Sequence, residues 1–190
     1  MSKFLIGLIV GLLTVPLLVY SYFATGMAPV ATAAGGMPFE ETLAHMALRA
    51  RMEKEMPKSV PIAADEAAYD AGAAIYRDNC AVCHGLPLSP MSHIAQGMAP
   101  KPPQLLEGTG VTDDPPGETY WKVAGGIRMT GMPGFEKSLS STQVWQVSLL
   151  VANADKLPAS AKQILVGGTA PAAPTTTAPP NMPTSPQPAK

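Results

Sequence analysis

Charge is scarce in this 190-residue chain: Asp, Glu, Lys and Arg make up 14% of it, and the formal net charge is −1. Without a basic excess there is no footprint for a polyanion, which excludes nucleic-acid binding as a class. Cysteine is nearly absent too. The only two, Cys80 and Cys83, lie too close together to cross-link distant parts of a fold, so they mark a local chemical site rather than a disulfide framework. No segment alternates apolar and polar residues over a strand's length, which argues against a sheet. After Gly167 the chain is dominated by Thr, Ala and Pro to its end, with little apolar surface to offset the entropy of ordering.

A long apolar run opens the chain. Phe4 to Phe23 is uncharged and mostly apolar, and as a helix it would reach roughly 30 Å, the thickness of a bilayer's hydrocarbon core. Lys3 is the one flanking charge on its N-terminal side, and the positive-inside bias then sends the rest of the chain outward, into a bacterial periplasm. A cleaved signal peptide is the competing reading, supported by the small residues Ala31-Thr32-Ala33. The run is longer than the about 7–15 residues of a signal core, which favours an uncleaved anchor. Pro16 is tolerated in a spanning helix.

The expected organisation is a transmembrane anchor over 1–23, a linker over 24–64, a folded domain over 65–157 and a disordered tail over 158–190. Within the linker, Phe39, Leu43, Met46, Ala47 and Ala50 recur at helical spacing, and Pro57 ends a helix over 39–56. It serves either as a stalk or as an arm packed on the domain. In the domain, helices are expected over 65–79 with Asp65 as N-cap, over 118–127, and over 140–154 with Val144, Val147, Leu150 and Val151 on one stripe. Pro and Gly make the stretch over 85–117 irregular, with room for one short helix. The fold class is therefore all-α.

Cys80-Ala81-Val82-Cys83-His84 has the pattern of a c-type haem attachment site. Positions i, i+3 and i+4 share one face of a helical turn, so two sulfurs can meet the two vinyl groups while the imidazole reaches the iron. In a chain with two cysteines and three histidines the chance of this arrangement arising by coincidence is about 3 in ten thousand. A thioredoxin-like dithiol needs strands around its CxxC, and a zinc site needs ligands beyond these three. The cofactor expected is one covalently bound haem c.

In this motif and the residues around it, the chain resembles the class I cytochromes c over roughly residues 66–154. Gly72 and Tyr76 match the glycine and aromatic of the family's first helix, Gly131-Met132-Pro133-Gly134-Phe135 its ligand-methionine loop, and Trp145 to Val151 its last helix. The resemblance implies a small helical domain around the haem, with the first and last helices crossing closely at Gly72. It also implies a proline carbonyl after the motif as hydrogen-bond partner of His84, for which Pro87 and Pro90 are the candidates. Two features depart from the family: a longer proline-rich stretch between His84 and Trp121, and Gly134 in place of alanine.

For the iron, His84 is the expected fifth ligand and Met132 the sixth, the latter because it sits in the resembling loop. Met129, Met98 and His93 are rivals, and an open site remains an alternative. His45 and His93 otherwise read as exposed or locally hydrogen-bonded. Tyr120, Trp121 and Arg128 are candidates to contact propionates, against core packing for the aromatics and solvation for the arginine. The resulting function is a one-electron carrier, not itself an enzyme, whose partners are membrane-bound redox complexes. The alternatives are a haem enzyme or gas sensor with a displaceable sixth position, or the cytochrome subunit of a dehydrogenase or oxidase complex.

Overall fold

The computed structural model describes residues 2–107 and 114–167, and every regular element within them is helical. In chain order these are α1 (Ser2–Ala24), α2 (Glu40–Glu55), α3 (Glu66–Asn79), α4 (Ala81–His84), α5 (His93–Gln96), α6 (Pro116–Gly125), α7 (Ser141–Ala152) and α8 (Ala159–Leu165), with a single 3₁₀ turn at Ala154–Lys156. Among the described residues α1 is the one helix long and apolar enough to cross a membrane, and none of its residues is buried against the rest of the chain. An apolar helix with no protein partner is what a bilayer anchor requires.

The domain is organised by α3 and α7. At the start of α3 the Asp65 carboxylate accepts from the Ala68 amide at 2.9 Å, the expected N-cap. At the start of α7, Ser140 and Gln143 form a reciprocal capping box. Ala68, Gly72, Ala73 and Tyr76 form the buried face of α3, and α7 is buried beyond the expected stripe, at Val144, Trp145 and every residue from Val147 to Val151. The two faces meet at Gly72. A Cβ there would run into the carbonyl oxygen of Gln146 and lie 3.1 Å from the Leu150 Cβ, so only glycine allows the helices this close. α6 starts with Pro116, whose missing amide costs nothing in a first turn, and packs on α7.

The boundary expected at Leu157 is corrected by α8. Leu157, Ala161, Ile164 and Leu165 are buried in the same core as Tyr76 and Leu150, and the Arg77 guanidinium donates to the Ile164 carbonyl at 3.1 Å. Their i, i+4, i+7, i+8 spacing is that of one helix face. The folded unit therefore runs at least to Leu165, and residues 158–167 are not tail. The remainder of the expected tail, 168–190, lies outside the described residues.

The linker helix is an arm rather than a free stalk at its C-terminal end. Met52 is buried, the Trp121 indole N–H donates to Glu55 Oε2 at 3.2 Å, and Arg51 pairs with Glu55 at 2.6 Å. The Arg51 guanidinium holds the Glu55 carboxyl below the ordinary carboxylate range. Residue 117 sits so close to the Pro57 carbonyl that a side chain there would collide with it. The linker thus meets the first turn of α6.

Two substitutions test this packing. Gly72→Ala should lower the unfolding free energy by about 2–3 kcal/mol, because the obstructing groups include helix backbone that cannot move aside. Ile164→Ala should cost about 3 kcal/mol, as a large-to-small change in a closed core, whereas a tail residue would cost nothing. Denaturant unfolding of the haem-loaded protein reads both.

Candidate functional site

The CxxCH motif is a single turn attached directly to α3. The helix passes through Cys80, whose amide donates to the Tyr76 carbonyl at 2.8 Å, and the turn closes as His84 N–H donates to the Cys80 carbonyl at 2.9 Å. Cys80 packs against the core while Cys83 is half-buried; both are free thiols. Burial, with the neighbouring Cys83 adding to it, pushes the Cys80 thiol up to about 12. A thioredoxin-like dithiol would need strands around its CxxC, and among the described residues every regular element is helical.

His84 Nδ1 lies 2.8 Å from the Pro103 carbonyl oxygen. A carbonyl can only accept, so Nδ1 carries the proton and Nε2 keeps its lone pair. Burial lowers the pKa of the ring, and the Pro103 bond partly opposes this. The outcome is a neutral, oriented imidazole, the state a metal ligand needs. The acceptor is a correction: Pro87 and Pro90 were the expected candidates, and the chain instead returns across 19 residues to present Pro103. A contact spanning a loop of that length leaves no periodic trace in the sequence, although the Pro102-Pro103 pair marks a stiff segment.

Two further groups brace the turn. The Tyr76 hydroxyl, fully buried, donates to the Gly85 carbonyl at 3.0 Å, and burial pushes its pKa up so that it remains a donor. Gln104, next to Pro103, lays its amide against Gly85, and its Nε2 is buried without a hydrogen-bond partner. Neither role was foreseen for Gln104, a polar residue with no motif around it.

The methionine loop leaves α6 and returns to it. Phe135 N–H donates to the Val123 carbonyl at 2.9 Å and Glu136 N–H to that of Ala124 at 3.2 Å, while Ile127 N–H donates to the Met132 carbonyl at 3.2 Å. Gly134, the departure from the family's alanine, has its reason here: a Cβ would lie 2.8 Å from the Gly125 carbonyl oxygen. Met132 packs against the core, whereas Met129 is 91% exposed and turned out in a left-handed conformation. Met98 is half-buried and sets its methyl against Gly131. His93 is exposed at the start of α5, and His45 is exposed on α2, 3.9 Å from the Glu41 carboxylate.

Of the propionate candidates, Tyr120 stacks on Trp145 with ring centroids 4.3 Å apart, Trp121 is engaged by Glu55, and Arg128 is exposed.

This set of donors fits a c-type haem. Two unpaired thiols and an imidazole with a free Nε2 share one turn, a thioether lies against the core, and a buried amide donor without a partner sits beside the histidine. Tyr76→Phe should lower stability by about 1–2 kcal/mol by stranding the buried Gly85 carbonyl, as read by denaturant unfolding of the loaded protein.

The comparisons with known proteins agree with the geometry. Residues 67–149 match the family model described as cytochrome c oxidase, cbb3-type, subunit III. No curated protein and no solved structure matches the chain significantly. The matched segment runs from the first turn of α3 into the last turn of α7 and contains the CxxCH turn and the methionine loop, so this region is a cytochrome c domain, a haem-binding module of electron transfer.

Proposed function

We propose that the protein is a membrane-anchored carrier of single electrons, with one haem held covalently by Cys80 and Cys83, His84 as fifth ligand and Met132 as sixth. The observation that carries this reading is the His84–Pro103 hydrogen bond on the CxxCH turn, because it leaves Nε2 as the free donor beside two unpaired thiols. When bound, the haem supplies the one-electron couple between ferrous and ferric iron. The chain's own part is to hold that centre still. Pro103 fixes the imidazole plane, Tyr76 and Gln104 hold the backbone behind it, and the core residues against Met132 keep water away from the thioether. A soft thioether favours the ferrous state, so His/Met ligation raises the reduction potential.

In this reading α1 is the anchor, the haem domain lies in the bacterial periplasm from about Asp65 to Leu165, and the α2 arm is part of the linker. Confinement to the membrane surface raises the effective concentration near membrane-bound redox complexes. A second reading, a cytochrome subunit within an oxidase complex, is favoured by the match to a family of cbb3-type cytochrome c oxidase subunits. It keeps the same site and the same one-electron role.

The test is the optical spectrum of the full chain after maturation in a periplasm. The oxidised protein should show the far-red sulfur-to-ferric-iron band. Met132→Ala should abolish it, lower the reduction potential and let the reduced protein bind carbon monoxide, while Met129→Ala leaves the band in place. Attached haem without the band, and with ready carbon monoxide binding in the unmutated protein, would instead support a haem enzyme or gas sensor.

A further inference from the structure

The segment over 91–98 belongs to neither expected ligand, yet it connects the surroundings of both. Its start is tied to the CxxCH turn: the Ser92 hydroxyl donates to the Val82 carbonyl at 2.5 Å and, as N-cap of α5, accepts from the Ala95 amide at 3.1 Å. The short helix is held from within. Ala95 is fully buried, Gln96 Nε2 donates to the Met91 carbonyl at 2.8 Å, and the amides of Gly97 and Met98 bond back to the carbonyls of His93, Ile94 and Ala95. At its end, the Met98 methyl fills the space a side chain on residue 131 would need. Residue 131 immediately precedes Met132. A stiff strap thus runs from the turn carrying Cys80, Cys83 and His84 to the loop carrying Met132.

The hydrogen bonds that tie the methionine loop to other elements go to α6, through the Val123 and Ala124 carbonyls. The bonds around Met132 itself, to Thr130 and Ile127, are internal to the loop and would move with it. The thioether of Met98, flexible and able to fill an irregular gap, supplies a brace on the loop from a different segment, at Gly131. We propose that Met98 is a positioning residue for the sixth ligand: by packing on Gly131 it holds the loop closed and sets how readily Met132 gives way to a foreign ligand. The inference rests on the His84/Met132 reading.

Imidazole binding to the oxidised, haem-loaded full chain measures this, because imidazole enters only when Met132 has left, and its apparent affinity scales with the open fraction. Met98→Ala should bind imidazole about tenfold more tightly, corresponding to about 1.4 kcal/mol of lost closure. Met98→Leu, which refills the space, should stay close to the unmutated protein. Gly131→Ala, whose methyl displaces that of Met98, should tighten binding as Met98→Ala does and keeps the test open if Met98→Ala fails to fold. Asp65→Ala serves as control, since it removes the N-cap of α3 and lowers stability without altering the core on which Met132 packs, and it should leave imidazole affinity unchanged.

Affinities within twofold of the unmutated protein for both Met98→Ala and Gly131→Ala would overturn the proposal, as would an equal rise in Asp65→Ala. Failure of the underlying reading looks different. If Met98→Ala abolishes the far-red band before any imidazole is added while Met132→Ala retains it, Met98 is itself the ligand and both statements fall.

Discussion

The close approach of α3 and α7 at Gly72 is the constraint on which the rest of the structure depends. With no side chain there, the Gln146 carbonyl and Leu150 lie directly on α3, and that contact fixes the direction in which α3 delivers Cys80. The CxxCH turn follows without a linker, so its placement is that of the helix. α7 also packs against α6, and α6 supports the methionine loop where it leaves and where it returns. One crossing thereby relates the turn with two thiols and an imidazole to the loop with the thioether. For a carrier this rigidity matters more than a substrate pocket, because electron transfer asks that the ligands stay in place as the charge changes.

Much of this was legible because it rests on local patterns. Asp65 as an N-cap, the glycine that admits a neighbouring helix, and the i, i+3, i+4 geometry of Cys80, Cys83 and His84 are each written within a few residues. What stayed hidden depends on distance along the chain. Pro103 reaches His84 across a proline-rich stretch whose path no periodicity records, so nearer prolines were the natural expectation. α8 was missed because its three buried residues sit among Ala, Ser and Lys close to a low-complexity tail, and its apolar face has meaning only against the core already formed by α3 and α7. Gly134 looked like a departure from the family until the carbonyl of Gly125 was found where a methyl would go.

The linker shows how one helix can serve two surroundings. The C-terminal end of α2 is engaged by Trp121 and buries Met52, while Phe39, Leu43 and Met46 on its earlier turns remain exposed. Trp121 is thereby held by the arm, its indole N–H working in the attachment of the linker to the domain. Contact at Glu55 and Pro57 shortens the free tether between α1 and the domain, and with it the range of orientations the domain can sample.

The central claim is that the CxxCH turn carries a covalent haem, and the most direct measurement is the mass and haem absorbance of the denatured full chain after maturation in an oxidising compartment. The account predicts one haem per chain that survives acid–acetone extraction in the unmutated protein. It predicts failure to retain haem normally in Cys80→Ser and Cys83→Ser, since each change removes one of the two thioether bonds. Extraction of all haem from the unmutated protein, or a Cys80-to-Cys83 disulfide in the mature chain, would contradict it.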